Sequence, residues 1–515
     1  LTRCNIIFMG GGVFYVLSYN TEDARAIIKN LKNELNDFLF KQFNGSLYLN
    51  LEAIDFHPDD FQNSQALWAD LSKRLEDSKK RKWFDRINET IDVSMPHEDC
   101  LTRYCEVCFR EDTFLEPVFS GEEQIYTHVC KTCSDQYELG DSLKRVIHSK
   151  NGVIYCFDEK DVIENNFRTI SIGSCIYNIT TKNPEIERLA KRVYLINDLD
   201  AENYVHTESI YLPLGVYQHK NLKELSDAEE VFGINRLAVL RMDVDNLGKI
   251  FSKAVPVEHR TFSRMASISR ALNDFFKYYL NLIVSCKFDY DSPGFSNIAE
   301  RSIKDGRMLA IVYSGGDDLF IVGHWLDLIE ASVDIKKYFE RYTGNSFITI
   351  SGGIFINHSK YPIYQYAREA EGAEKKAKSF KEEDESKETK NAITIFREKP
   401  IKWHDMPKLL ERVSLFKKFL INKKDHLAID EKKLPKTFFY RLLALARLFN
   451  ENNVLILPKV AYLLSRARFG GGNPEDKIKL ENAIMTSNKK EWKITELATL
   501  LILMLMRKGG KEDGL

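Results

Sequence analysis

Tyr313-Ser314-Gly315-Gly316-Asp317-Asp318-Leu319-Phe320-Ile321-Val322 is the stretch on which the fold turns. An apolar run, Met308 to Val312, leads into two glycines and two adjacent carboxylates, and a second apolar run leaves them. The pattern predicts a β-hairpin with acids at its tip, because glycine tolerates φ > 0 and lets a backbone approach a phosphate. Adjacent exposed acids there can hold a hard divalent cation, and that cation can carry nucleotide phosphates. Taken alone, the stretch also reads as an ordinary acidic turn.

Upstream, Leu237-Ala238-Val239-Leu240-Arg241-Met242-Asp243-Val244-Asp245 is a mostly apolar strand ending in two alternating acids. A strand has period two, so Asp243 and Asp245 are expected on one face. Beside the hairpin, Asp243 and Asp317 could share two metal ions, the recurring arrangement for in-line nucleotidyl transfer. The plainer reading is a buried strand ending in a polar turn.

Further elements follow. Phe347 to Ile356 reads as a strand, Tyr364 to Lys378 as a helix with Ala367, Ala370, Ala373 and Ala377 at helical spacing, and Asn391 to Phe396 as a last strand. This order resembles the palm of nucleotidyl cyclases and polymerases, and most of all the GGDEF-type diguanylate cyclases. By that resemblance Lys378 meets a triphosphate; otherwise it is a solvated helix end.

"LRMDVDNLGKIF", "TFSRMASISRALNDFF" and "YSGGDDLFIVG" resemble, more narrowly, the second palm of the large subunit of type III-A (Csm) CRISPR–Cas effector complexes. "NIIFMGGGVFYVLSYNTEDA" resembles that family's degenerate first palm, "YLPLGVY" (Tyr211 to Tyr217) its pre-palm segment, and "YLLSRAR" (Tyr462 to Arg468) its helical tail. The resemblance implies an α+β multidomain chain with two ferredoxin-like palms. It implies synthesis of cyclic oligoadenylates from ATP, with two Mg2+ or Mn2+ ions per active palm held by Asp243 and Asp317. Asp318 would activate or position a ribose 3′-hydroxyl. Gly10, Gly11, Gly12, Ser314, Gly315, Gly316 and Lys378 would bind nucleotide; Ser267 and Ser269 are weaker candidates, read equally well as helix-surface residues. Implied partners are ATP, other Csm subunits, crRNA and target RNA, with a possible dimer in isolation, in the prokaryotic cytoplasm. The family's N-terminal HD nuclease domain, and the start of the first palm, are expected to lie outside this chain. The remaining His404-Asp405 pair reads as structural. A diguanylate cyclase and a catalytically silent scaffold subunit are the alternatives.

Cys105-x-x-Cys108 and Cys130-x-x-Cys133 match the two-knuckle spacing of a structural Cys4 zinc site. Four thiolates close the coordination sphere, so one structural Zn2+ is expected; a redox CxxC is the alternative. Cys100 could substitute as a ligand, whereas Cys4, Cys156, Cys175 and Cys286 read as core.

The 515 residues are 44% apolar, ample for several cores, and no apolar run reaches the roughly twenty residues of a membrane span. Residues 407–515 hold 22 Lys/Arg against 12 Asp/Glu (+10), and the rest 52 against 63 (−11). A basic helical tail on an acidic body suits nucleic acid or acidic partners, or is simply a solvated lysine-rich surface. The expected organisation is 1–95 first palm, 96–145 zinc insert, 146–233 connector, 234–402 second palm and 403–515 helical tail. Arg441, Arg447, Arg466 and Arg468 are candidates for an outward basic surface on that tail.

Overall fold

The computed structural model describes residues 3–10, 12–43, 45–61, 64–87, 103–112, 115–120, 125–148, 151–158, 168–172, 175–206, 208–219, 233–249, 261–287, 294–298, 300–344, 347–381, 389–396, 399–419, 434–450, 456–467 and 473–507. The chain forms two compact units: Leu1–Leu214 with Gly248–Ala271, and Gly215–Leu247 with Leu272–Leu515. Part of the stretch read as the second palm, 248–271, thus groups with the first unit.

In the first unit, β1 (Ile6–Gly10) and β2 (Val13–Val16) form a two-stranded hairpin, with Gly10 opposite Val13. Ile7 is buried with Phe262 and Met265, against Tyr15, Phe56 and Trp68. α1 (Glu22–Phe43) starts at Thr21, whose hydroxyl accepts the Ala24 N–H, and α2 (Ser64–Lys79) follows. Ser46 to Phe56, whose composition suits a strand, is extended chain outside any ladder among the described residues. Side chains take the ladder's place. Asn36 of α1 exchanges two hydrogen bonds with the Leu49 backbone, and Asn50 donates to the Leu75 carbonyl.

The insert brings β3 (Arg103–Tyr104), β4 (Glu111–Asp112), β5 (Leu115–Ser120), β6 (Ile125–Cys130) and α3 (Lys131–His148). A five-stranded sheet of order β11-β10-β7-β9-β8 completes the unit: β7 (Gly152–Asp158), β8 (Arg168–Ile172), β9 (Cys175–Thr181), β10 (Arg192–Ile196) and β11 (Ser209–Leu212). Leu139, Leu143 and Val146 of α3 pack on Ile154 and Ile179, so the insert's helix is part of this sheet's core.

The second unit carries a six-stranded sheet of order β13-β14-β12-β15-β16-β17. Its elements are β12 (Leu237–Val244), the end of α4 (Phe262–Asp274, of which residues up to Ala271 group with the first unit), β13 (Leu309–Gly315), β14 (Asp318–His324), α5 (Trp325–Thr343), β15 (Ile350–Asn357), α6 (Ile363–Ser379), β16 (Ala392–Ile395) and β17 (Lys399–Lys402). α4 runs on through a π-helical turn, Phe275–Tyr279, into Leu280–Val284. β12 lies between β14 and β15, antiparallel to both. Val239, Phe355, Tyr366 and Ala370 form a core on the α6 face. Gly353 lets α6 lie directly on the sheet: a Cβ there would stand 2.3 Å from the Glu374 nitrogen and 2.6 Å from the Ala373 carbonyl carbon.

α7 (Met406–Lys418), α8 (Lys436–Asn450), α9 (Leu457–Arg466), α10 (Pro474–Ile484) and α11 (Lys489–Leu505) form the tail. Trp492, Leu497, Leu501 and Ile502 of α11 are fully buried, and Trp492 stacks on Phe449. Of the arginines read as an outward surface, Arg441, Arg447 and Arg466 are all exposed; Arg447 also pairs with buried Glu496 at 3.4 Å, and Arg466 lies over the Tyr462 ring. Arg468 lies outside the described residues. Asp405, almost fully buried, is paired with Lys490 at 3.0 Å and with His404 at 3.5 Å.

Gly353→Ala should destabilise the protein by about 1–3 kcal/mol through overpacking against α6. Urea unfolding measures this, and an unchanged midpoint would contradict the close approach. His324, fully buried, is held neutral by burial, with its pKa pushed down to about 3. The unfolded imidazole takes a proton near pH 6.5, so stability is complete above that pH. It should fall by about 1 kcal/mol per unit as the pH drops from 6.5 toward 3. Between pH 5 and 6.5 the loss should be smaller in His324→Leu; identical slopes for the two proteins would refute the assignment.

Candidate active site and cysteine cluster

The acids of the second unit meet at one end of the sheet because of register. Along β12, Val239, Arg241 and Asp243 pair with Val322, Phe320 and Asp318 of β14. Opposed residues share a face, so Asp243 and Asp318 sit side by side on the α6 face. Asp317 lies between the strands in the two-residue link Gly316-Asp317. Gly316 has φ +65°, and the Asp317 N–H reaches the Gly315 carbonyl at 2.8 Å, closing a γ-turn. The Asp317 carbonyl accepts the Val244 N–H at 2.9 Å, which fastens the hairpin tip to the end of β12.

Burial, then the neighbouring Asp243 and Asp318 charges, pushes the Asp317 carboxyl up to about 6. Burial raises Asp243 too, with Lys378 acting in the opposite direction. The Lys378 ammonium, from the last turn of α6, pairs with Asp243 and, at 2.8 Å, with Glu374. Burial opposes that ammonium's charge, but the two carboxylates raise its pKa overall. Arg241 lies 3.4 Å from Glu374. The sheet end thus carries three aspartates, with Lys378 between Asp243 and Glu374, although their oxygens are not gathered as closely as the cysteine sulfurs described below. Such a site suits a divalent cation carrying phosphates.

Asp245, expected on the face of Asp243, does not join the acids at the hairpin tip. It lies just past the end of β12 and is almost fully buried. Its Oδ2 accepts from the Thr349 and Ser351 hydroxyls at 2.7 and 2.9 Å and from the Asn391 N–H at 3.1 Å. It ties the starts of β15 and β16 to the end of β12.

Ser314 pairs with Leu319, on the face opposite Asp318. Its hydroxyl is buried without a hydrogen-bond partner, packed so tightly on Gly215 that a Cβ there would come within 1.9 Å of it. Gly215 belongs to a segment held by Asn281, whose Oδ1 accepts the Val216 and Tyr217 N–H groups at 2.8 and 3.0 Å. Lys277, in the π-helical turn, reaches to within 3.4 Å of where a Gly315 Cβ would stand. Sequence reasoning did not single out Lys277, Arg241, Glu374 or Tyr313. The acid-and-base spacing Glu374/Lys378 on one helix face was a readable signal for Glu374.

In the first unit Gly10 ends β1 and Gly12, at φ +72°, opens toward β2 with nothing near its missing side chain. Gly11 lies outside the described residues. Ser267 bonds back to the Ser263 carbonyl, and buried Ser269 accepts the Met9 N–H at 3.1 Å.

Cys105, Cys108, Cys130 and Cys133 bring their sulfurs within 4.8 Å of one another, the sole group of three or more such ligands among the described residues. Cys105 follows β3, Cys130 ends β6 and Cys133 lies in the first turn of α3. The Cys105 carbonyl accepts the Phe109 N–H at 2.8 Å, and Phe109 takes φ +58°, which curls the first knuckle. Burial disfavours the Cys105 thiolate, yet surrounding backbone N–H groups hold it at about 6. Burial and the other three sulfurs push Cys133 up. Four crowded thiols are a donor set that a soft-tolerant tetrahedral cation would relieve. Cys100 lies outside the described residues.

Residues 236–394 match the family model for the second palm domain of Cas10/Cmr2, and residues 1–96 that for Csm1 subunit domain B. Curated relatives are named CRISPR system single-strand-specific deoxyribonuclease Cas10/Csm1 (subtype III-A). The Streptococcus thermophilus protein is 27% identical over 99% of this chain and 62% of its own. The Enterococcus italicus protein is 27% identical over 91% and 55%, and the Thermococcus onnurineus protein 30% over 71% and 46%. The chain thus spans 46–62% of the length of these relatives. Among solved structures, the apo Csm1–Csm4 cassette superposes with a TM-score of 0.66 at 19% identity, covering 98% of this chain and 63% of that one. Csm1 from T. onnurineus gives 0.64 at 21%, covering 98% and 63%. With a second-palm model and a Csm1 domain B model both matched, and Cas10/Csm1 relatives aligned over most of its length, the chain belongs to the Cas10/Csm1 family of type III-A CRISPR systems.

Proposed function

We propose that this chain carries a nucleotidyl cyclase-type site that joins ATP into cyclic oligoadenylates within an RNA-guided type III-A effector complex. The observation that carries it is the pairing of Asp243 with Asp318, beside Asp317 and Lys378, at the end of a palm sheet. Related Csm1–Csm4 cassettes have been solved in complex with one ATP and with cA4, which supports the nucleotide class.

Asp243 and Asp317 are the residues that would hold Mg2+ or Mn2+; such ions, when bound, neutralise the triphosphate and favour the attacking alkoxide. Lys378 then turns from Asp243 toward a phosphate oxygen, an exchange of one anionic partner for another. Gly315 and Gly316, and in the first unit Gly10 to Gly12, allow backbone N–H groups to approach phosphates. Ser314, read as a nucleotide contact, packs on Gly215 on the face away from Asp318, so no nucleotide contact is proposed for its hydroxyl. Asp318 takes the proton of a ribose 3′-hydroxyl as its oxygen bonds to the α-phosphate and pyrophosphate leaves; repetition of this step lengthens the chain, and a last one on the chain's own α-phosphate closes the ring. Positioning plus charge stabilisation does most of this work. Cys105, Cys108, Cys130 and Cys133 are proposed to hold one structural Zn2+. The tail is proposed to dock on other Csm subunits and along crRNA and target RNA, and the whole to act in a prokaryotic cytoplasm.

Asp317→Ala with Asp318→Ala should abolish conversion of labelled ATP in the presence of Mn2+, read by chromatography, with an unchanged unfolding transition. Full turnover by the folded double variant would remove Asp317 and Asp318 from the catalytic assignment, and a parent chain without turnover would leave the scaffold reading standing. Freshly purified protein should contain about one zinc per chain by elemental analysis, and Cys130→Ser should lower zinc content and thermal stability together. Zinc-free protein of undiminished stability would remove the metal from this site.

A further inference from the structure

β13 and β14 are not in continuous register. Ile311 pairs with Ile321 and Tyr313 with Phe320, so Val312 is an extra residue, a β-bulge three positions before the glycines. A bulge of one residue carries everything beyond it to the other face of the sheet. With unbroken pairing Tyr313 would oppose Leu319, on the face away from the acids, and Ser314 would oppose Asp318. With the bulge, Tyr313 shares the face of Phe320, Arg241 and Asp318, and its hydroxyl donates to Asp318 Oδ1 at 2.7 Å. Val312 itself is thrown outward and is exposed.

We infer that Tyr313 is a positioning residue for Asp318, delivered to the active face by the Val312 bulge. This rests on the proposed function. The phenol occupies Oδ1 and fixes the carboxylate's rotation, leaving Oδ2 to meet the 3′-hydroxyl. The charged groups that face the phenol from the packed elements are Asp318 and Asp317 of the hairpin and Arg241 of β12. Among them Asp318 receives its hydrogen bond. Tyr313 stands beside the chemistry without holding phosphate, so its loss should act on turnover rather than on binding.

The test is Tyr313→Phe in the full chain, with ATP and Mn2+. The ring is half exposed, so removing the hydroxyl leaves the fold intact, as the unfolding midpoint will report. The expected result is a kcat lower by about tenfold, the scale of one hydrogen bond to a charged group, with KM for ATP unchanged. A kcat within twofold of the parent, or a loss confined to KM, overturns the inference. A parent chain that makes no oligoadenylate defeats the proposed function instead. The contact is then read by a double-mutant cycle of Tyr313→Phe and Asp318→Asn on unfolding. Coupling of about twofold or more in the unfolding constant sustains it, and additivity overturns it.

Discussion

The hydrogen-bond ladder of β12 decides what every other part of the second unit can do. Buried between β14 and β15, this strand has no freedom to slip, because a shift of one residue would turn Val239 out of its core and Met242 into it. Once that register is set, Asp243 must lie beside Asp318, and the Val244 N–H must meet the Asp317 carbonyl. Asp245 completes the constraint from the other side. One buried carboxylate oxygen gathers two hydroxyls and a backbone N–H from β15 and the approach to β16. The acids at the sheet end are therefore held by the backbone and not by one another.

Holding them so has an electrostatic cost. Three carboxylates at one partly desolvated edge disfavour their own ionisation, which is why Asp317 rises to about 6. Lys378 offsets the excess at Asp243, and it can be there only because Gly353 lets α6 rest on the strands, with Ala370, Ala373 and Ala377 beneath it. A site poised between self-repulsion and a single ammonium will accept further positive charge readily. That readiness for a cation follows from glycine and alanine placement as much as from the acids.

Much of this was legible in the sequence. The palm order, the acidic hairpin, Asp243, the Lys378 helix and the two CxxC knuckles all rest on local patterns, glycine punctuation and strand or helix period, that survive folding unchanged. What was not legible came from pairing over distance. Asp245 has the same spacing as a second ligand, and only the arrival of Thr349, Ser351 and Asn391 makes it a structural acid. Ser46 to Phe56 has a strand's composition, yet Asn36 and Asn50 supply side-chain partners in place of a neighbouring strand.

The bulge at Val312 shows the same limit in its sharpest form. Read by period two from Ile311, the run Ile311-Val312-Tyr313-Ser314 puts the serine with the acids and the tyrosine away from them. The structure reverses both, because one unpaired residue is inserted where β13 leaves the cover of the Tyr217–His219 segment, whose backbone pairs with Leu309 and Ile311. Beyond that cover the strand edge is free to twist, and a bulge costs little at an edge. The cost is met by what it delivers: a phenol hydroxyl on Asp318 and a small serine pressed against Gly215, which a tyrosine at that place could not match. The bulge and Gly215 thus depend on each other, one selecting which side chain turns inward, the other making room for it.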